Sequence, residues 1–314
     1  MTENQQLVVE VVVLSVDGTS HIIIITVNGA PLTNDDDFDV QSEVTLDSDG
    51  KDSGLSAYDL IENAFANGSI ETPDLYSTNH TEVKHIVEDE DPTIGSHFIF
   101  LAHRDLDHDR DAGPNDRQRN EIKSYDKSDE TLKAYLNDTF QYSWKFKVTS
   151  SMQLSSRFSH FFQIKAKNFS EDNSNGNDNQ PMFTLSGAEK SSSGNQLQVR
   201  YNSGYQANGS STSDVYLSSV EWALITDEWV EVFVQITYAE EGKFQLNLTR
   251  LSDDASIIDI NEQNIDTWRG VDAEDFVRPK WGIYRSILET DSLREEEEQV
   301  RFANFLIKKG VLTD

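Results

Sequence analysis

The 314-residue chain contains no cysteine, which excludes a disulfide framework, a zinc–thiolate site and a thiol nucleophile, and leaves its redox compartment unmarked. Positive charge is scarce as well. Only 26 Lys and Arg stand against 56 Asp and Glu, a formal net charge of −30, so nonspecific attraction to nucleic acid or to an anionic membrane is not expected. No apolar run approaches the roughly 20 residues of a membrane helix, which argues against membrane insertion. The opening MTENQQLVVEVVVL is not a signal peptide, because Glu10 interrupts its apolar run and an acidic rather than a basic stretch precedes it. A secreted protein, the expected setting, would carry its targeting segment outside this sequence. Internal repeats, a Gly-rich phosphate loop, a GxSxG elbow and an HExxH helix are missing too, which removes the nucleotide, serine-hydrolase and zincin readings.

What the chain has is alternation. QYSWKFKV, RFSHFFQIKAK, PMFTLSG, QLQVRYN, DVYLSSV, WVEVFVQITY, KFQLNLTRL, PKWGIYRSI and RFANFLIKK are period-two segments separated by Gly, Asn, Ser and Asp clusters. So many short strands with few helices predict an all-β sandwich of two antiparallel sheets, a jelly roll with a concave substrate groove. Helices are expected only at AYDLIENAF (57–65) and SDETLKAYL (128–136), each near a Ser or Asp cap. Residues 1–33 read as a β hairpin of two β-branched runs around Asp17-Gly18; the phrase DGTSHIIIITVNGAP resembles the closing strand of VCBS or cadherin-like modules found beside marine bacterial enzymes. Residues 34–55 are Asp/Ser/Gly-rich and read as a linker, leaving 56–314 as the sandwich domain.

In so acidic a chain the cations that do occur are informative. Strand alternation places Arg117, Arg119, Glu121 and Lys123 on one face with Ile122 opposed. Such a row suits a carboxylated or sulfated ligand, or equally a solvated face of cross-strand ion pairs. Along Phe158–Lys165, Gln163 and Lys165 share a face with Phe161, while His160, Phe162 and Ile164 take the other. Along Lys280–Arg285, Lys280, Gly282 and Tyr284 point together, the glycine leaving room at the backbone; taken alone, Tyr284 is as well read as a packed aromatic.

Together these strands resemble the jelly-roll alginate-lyase superfamily, whose motifs have the forms R-x-E-x-R, Q-I-H and K-x-G-x-Y. Here they read Arg119-Asn120-Glu121-Ile122-Lys123, Gln163-Ile164-Lys165 and Lys280-Trp281-Gly282-Ile283-Tyr284. Lys123 replaces an arginine and Lys165 replaces the histidine base, which moves the resemblance away from alginate. The longer phrases DRQRNEIKSYDKS, HFFQIKA, FVRPKWGIYRS and RFANF are similar to ulvan lyases of the short jelly-roll type, from about Tyr58 to Lys308. That resemblance implies β-elimination at the uronate of an anionic, sulfated polysaccharide, with Lys165 as base, Tyr284 as acid, and Arg119 and Gln163 neutralising the carboxylate. Substrate contacts are expected from Arg117, Glu121, Lys123, His160, Arg278, Lys280 and Arg285, together with a monomer and no cofactor for the chemistry. A lyase for glucuronan or alginate, and a noncatalytic carbohydrate-binding jelly roll, remain as alternatives.

One further segment draws notice. Asp105, Asp107, Asp109 and Asp111 recur at every second position of a loop, an oxygen-rich spacing suited to a structural calcium ion, although the EF-hand glycine is missing.

Overall fold

The structure, a computed structural model, describes residues 7–14, 20–27, 38–111, 116–169, 178–190, 192, 194–204 and 212–313. It comprises an N-terminal unit ending at Phe38 and a large unit, Asp39–Leu312. In the first, β1 (Leu7–Leu14) and β2 (Ser20–Val27) pair antiparallel from Leu7↔Val27 to Leu14↔Ser20. The expected turn at Asp17-Gly18 lies outside the described residues.

In chain order the remaining strands are β3 (Phe38–Leu46), β4 (Ile70–Glu71), β5 (Ile86–Asp91), β6 (Gly95–Ala102), β7 (Arg117–Lys123), β8 (Thr139–Val148), β9 (Ser159–Lys167), β10 (Phe183–Lys190), β11 (Gly194–Tyr201), β12 (Val215–Glu221), β13 (Val230–Thr237), β14 (Gly242–Arg250), β15 (Ala255–Ile265), β16 (Phe276–Ser286) and β17 (Glu298–Leu312). One sheet runs β12-β11-β10-β9-β16-β7-β4; the other runs β15-β14-β13-β8-β17-β6-β5, with β3 also paired to β17. The result is the expected two-sheet β sandwich. Between the sheets, Trp144, Phe162 and Trp281 interlock with ring centroids 4.4, 5.6 and 5.9 Å apart. These are offset and edge-on arrangements that aromatic quadrupoles favour.

Helix α1 (Ala57–Phe65) forms where expected. Ser56 and Asp59 make a capping box, and Ala57, Ile61 and Phe65 at four-residue spacing are buried. Phe65 stacks on Trp281 at 6.0 Å and so covers one part of the core. The second expected helix shrinks to one helical turn, Glu130–Leu132. Ala134 exchanges backbone hydrogen bonds with Val277 at 3.1 and 2.8 Å, which withdraws its amide and carbonyl from any helix. The stretch read as a linker contains β3, whose Leu46 is buried. Its partner β17 lies at the far end of the chain, so composition alone does not reveal the pairing.

The sheet that carries the basic strands has an irregularity. Leu185 and Ser186 of β10 pair with Phe162 and His160, skipping Phe161. On the other side Trp281 and Tyr284 of β16 pair with the same two residues of β9. Phe161 and Phe162 therefore both pack inward, against Trp222 and Trp144. Gly282, opposite this bulge, has φ 145°, and a Cβ there would press on the Asn120 carbonyl and lie 2.7 Å from Glu121 Cα. Gly282→Ala is expected to lower stability by about 2 kcal/mol or more, read as a lower urea midpoint. An unchanged midpoint would mean that β7 and β16 can separate without cost.

Candidate active site

The outer face of the seven-stranded sheet holds a cavity of about 350 Å³ lined by Arg117, Arg119, Arg157, Phe158, His160, Gln163, Lys165, Asn179, Gln180, Pro181, Thr184, Arg200, Asn202, Asp214 and Tyr284. Regular pairing of β16 with β7 sets Tyr284 opposite Arg119 and Gly282 opposite Glu121, so the expected row of side chains does share one face. Among the described residues the lining contains five basic side chains and one acidic one, Asp214, in a chain of net charge −30. A low-dielectric concavity with that balance attracts anions.

Beneath the cavity the charges are tied together by two buried carboxylates. Glu121 pairs with Arg119, accepts from the Gln163 amide, and lies 2.7 Å from Lys280 Nζ. Glu71, contributed by the two-residue strand β4, lies 2.8 Å from Lys280 and 2.7 Å from Lys123. Burial alone would raise the Glu71 carboxyl, but Lys280, Arg119 and Lys123 outweigh it and hold it well below the ordinary carboxylate range. Arg119 also donates from Nε and Nη2 to Asp109 at 2.7 and 3.2 Å.

Lys165 forms no ion pair or hydrogen bond among the described residues. Burial, followed by the charges of Lys280, Arg119 and Arg278, pushes its ammonium down to about 7. A lysine so placed is substantially neutral near pH 7 and can accept a proton. Tyr284 sits in the same cavity with the Arg119 guanidinium 3.9 Å from its ring centroid and Arg117 Nη1 donating to its hydroxyl at 2.8 Å. Burial raises its phenol despite the opposing pull of the two arginines, so it is protonated at neutral pH, while the same arginines stand ready to stabilise a phenolate. His160 stacks on Phe158 at 4.8 Å, and its Nδ1 is 2.7 Å from Ser186 Oγ. Burial, reinforced by Arg200 and Arg119, holds the ring well below its ordinary value and keeps it neutral.

Several expectations change. His160 was expected to face away from Lys165; the bulge at Phe161 shifts the alternation by one and turns it onto the same face. Arg285, expected at the substrate, is fully buried on the opposite face, where Nε donates to Gln118 at 2.8 Å and Nη1 pairs with Glu298 of β17. Glu121, Lys123 and Lys280 do not line the cavity but form the ion cluster below it. Arg278 lies outside the lining as well, and acts on Lys165 through its charge. The four loop aspartates diverge instead of converging on a calcium ion. Asp105 pairs with Arg104 at 2.7 Å, Asp109 with Arg119, and Asp111 accepts from Thr78, while Asp107 turns inward to three histidines. Glu71, Arg157 and Arg200 were not anticipated. Arg200 alternates with Gln198 in QLQVRYN, and a basic residue on a strand of so acidic a chain was a usable signal; Glu71, in a strand of two residues, offered none.

The Glu71 cluster predicts a pH-dependent cost. A carboxylate whose folded pKa is depressed stabilises the fold above its unfolded pKa and ceases to do so as the pH falls through the folded value. Glu71→Gln should therefore lose about 3–5 kcal/mol at pH 7, the cost of stranding buried cations. The gap should close well below pH 4.5, the ordinary value. Urea unfolding at both pH values measures it, and equal stability at pH 7 would remove Glu71 from the cluster.

The family model described as "Polysaccharide lyase" matches residues 55–303, and no curated protein matches the sequence. Among solved structures the chain is similar to the endo-beta-1,4-glucuronan lyase of the fungus Trichoderma reesei, with 17% identity, 76% of this chain and 93% of that one covered, and a TM-score of 0.50. It is similar to the marine PL-14 alginate lyase of Aplysia kurodai, with 10% identity, coverage of 84% and 97%, and a TM-score of 0.53. Alginate lyase Aly36B gives 11% identity, coverage of 88% and 100%, and a TM-score of 0.51. At these identities the structural likeness speaks for a shared jelly-roll-like fold. The family match spans most of the length and includes all three motif strands, and the chain belongs to the polysaccharide lyases.

Proposed function

We propose that this lyase cleaves a uronate-containing, sulfated polysaccharide of the ulvan type by β-elimination, with Lys165 as base and Tyr284 as acid. The observation that carries the reading is the pairing, in one cationic cavity, of a lysine pushed down to about 7 with a tyrosine that stays protonated. Solved structures similar to this chain are named as glucuronan and alginate lyases, which supports a uronate at the cleavage point. Lysine in the position of the superfamily's histidine base, and guanidinium groups from Arg117, Arg157 and Arg200 suited to sulfate as well as carboxylate, favour ulvan among such polymers.

In this mechanism neutral Lys165 removes the C5 proton of the uronate. The electron pair left behind becomes the C4=C5 double bond as the C4–O4 bond breaks. Tyr284 gives its proton to the departing O4, leaving a phenolate that Arg117 and Arg119 stabilise, and solvent restores both groups. The carboxylate, which takes up charge as the C5 proton leaves, is met by the surrounding cations and by the Gln163 amide.

Ulvan, glucuronan, alginate and heparin should be incubated separately with the enzyme while the ultraviolet absorbance of unsaturated uronate is followed. Ulvan is expected to react fastest. Preference for alginate or glucuronan would overturn the substrate, and no absorbance with any polymer would overturn the elimination. Lys165→Ala and Tyr284→Phe should each lower the rate by at least about 100-fold with the fold intact. With pH, kcat/KM should rise as Lys165 loses its proton near 7. A rate flat through that region would contradict its role as base.

A further inference from the structure

A second constellation lies outside the cavity. His80, His85, His103 and Asp107 each present one ligating atom, all within 4.8 Å of one another. The three imidazole rings stand mutually edge-on, with centroids 4.8, 5.1 and 5.2 Å apart and interplanar angles of 82 to 88°. His80 Nδ1 and His85 Nε2 lie 2.8 and 3.0 Å from Asp107 Oδ1, and His103 Nδ1 lies 3.3 Å from Oδ2. Donors on a tetrahedral zinc ion are separated by about 3.4 Å, given bonds of about 2.0–2.1 Å. These four therefore need little movement to share one.

The outward nitrogens carry the second half of the argument. His85 Nδ1 is 3.2 Å from Asp74 Oδ1, His103 Nε2 is 3.0 Å from Glu297 Oε2, and His80 Nε2 is 4.0 Å from Glu82. Asp74 is itself fixed by donation from Tyr58 at 2.7 Å and Thr72 at 2.8 Å. His85 and His103 thus face a carboxylate at both ring nitrogens, whereas a neutral imidazole carries a single N–H. A cation at the centre satisfies both rings without a second proton: His85 and His103 each give the inner lone pair to the metal and the outer N–H to the flanking carboxylate, the arrangement that orients histidine ligands in metal sites.

We propose that His80, His85, His103 and Asp107 bind one divalent transition-metal ion, zinc in preference to calcium, because three of the four donors are imidazole nitrogens. Four protein donors close the coordination sphere, so the ion is structural. It ties the segment around His80, the residue leading into β5 and the loop after β6 to one point. Gln118 of β7 donates to the carbonyls of His103, Arg104 and Asp107 on that loop at 2.6, 2.9 and 3.2 Å. Two residues beyond Asp107, Asp109 braces Arg119, so the ion steadies the support of the cavity floor without entering it.

The test uses the full chain, zinc-loaded, desalted and analysed for metal by mass spectrometry, beside a chelator-stripped sample and the variants His80→Gln and Glu297→Gln. About one zinc per chain is expected. Stripping should lower the melting temperature, and zinc at about 100-fold above its dissociation constant should restore roughly 5–10 °C, with calcium giving no recovery. His80→Gln should lose the metal, and Glu297→Gln, which keeps all four ligands, should bind it about 10–100-fold more weakly. No retained metal with an unmoved melting temperature, recovery by calcium equal to that by zinc, or full retention in His80→Gln would each overturn the proposal.

Discussion

The outer face of the seven-stranded sheet depends on how two buried carboxylates, Glu71 and Glu121, are shared among more cations than they can neutralise. Lys123, Lys280 and Arg119 are drawn into contact with them. The opposing charges sit in a region where water screens them little, so the arrangement is stiff and one partner cannot be lost without stranding another. Lys165, on the neighbouring strand, makes no ion pair with either carboxylate, and the charges of Lys280, Arg119 and Arg278 outweigh the pull of Glu121 on it. Burial depresses this lysine most, and the cations of the cluster that holds the sheet together add to it, so the structural pairing helps to prepare the proposed base.

The same arginine serves both halves of the site. Arg119 is locked from below by Glu121 and from the side by Asp109, and this fixed guanidinium carries the Tyr284 ring. A phenol that gives up its proton there meets positive charge already in place, without waiting for a side chain to move. The bulge at Phe161 completes the cavity wall by turning His160 onto the same face, at the cost of a tight approach that only Gly282 tolerates.

Much of this was legible in the sequence because strand alternation is a local property. Period two placed Arg117, Arg119, Glu121 and Lys123 on one face, and likewise Gln163 with Lys165 and Lys280 with Tyr284. The readings fail where a non-local contact decides. His160 was assigned to the wrong face because a bulge is set by the neighbouring strands β10 and β16 and leaves no mark in the alternation of β9. Arg285 obeys the alternation, and its fully buried position follows from Glu298, a partner that sequence reading could not bring to it. β3 was hidden in an acidic stretch because β17 supplies its pairing. The aspartate-rich loop suggested a cluster of four oxygens; folding disperses three of them and sends Asp107 to histidines 22 and 27 residues earlier in the chain.

Elimination by this site depends on the charge state of one side chain. Selective isotope labelling of lysine, with Lys165→Arg to assign the signal, allows the Lys165 ammonium to be titrated directly by NMR. It should lose its proton near 7. A midpoint close to 10.5, the ordinary lysine value, would contradict the claim that burial and crowding by cations prepare Lys165 to act as the base.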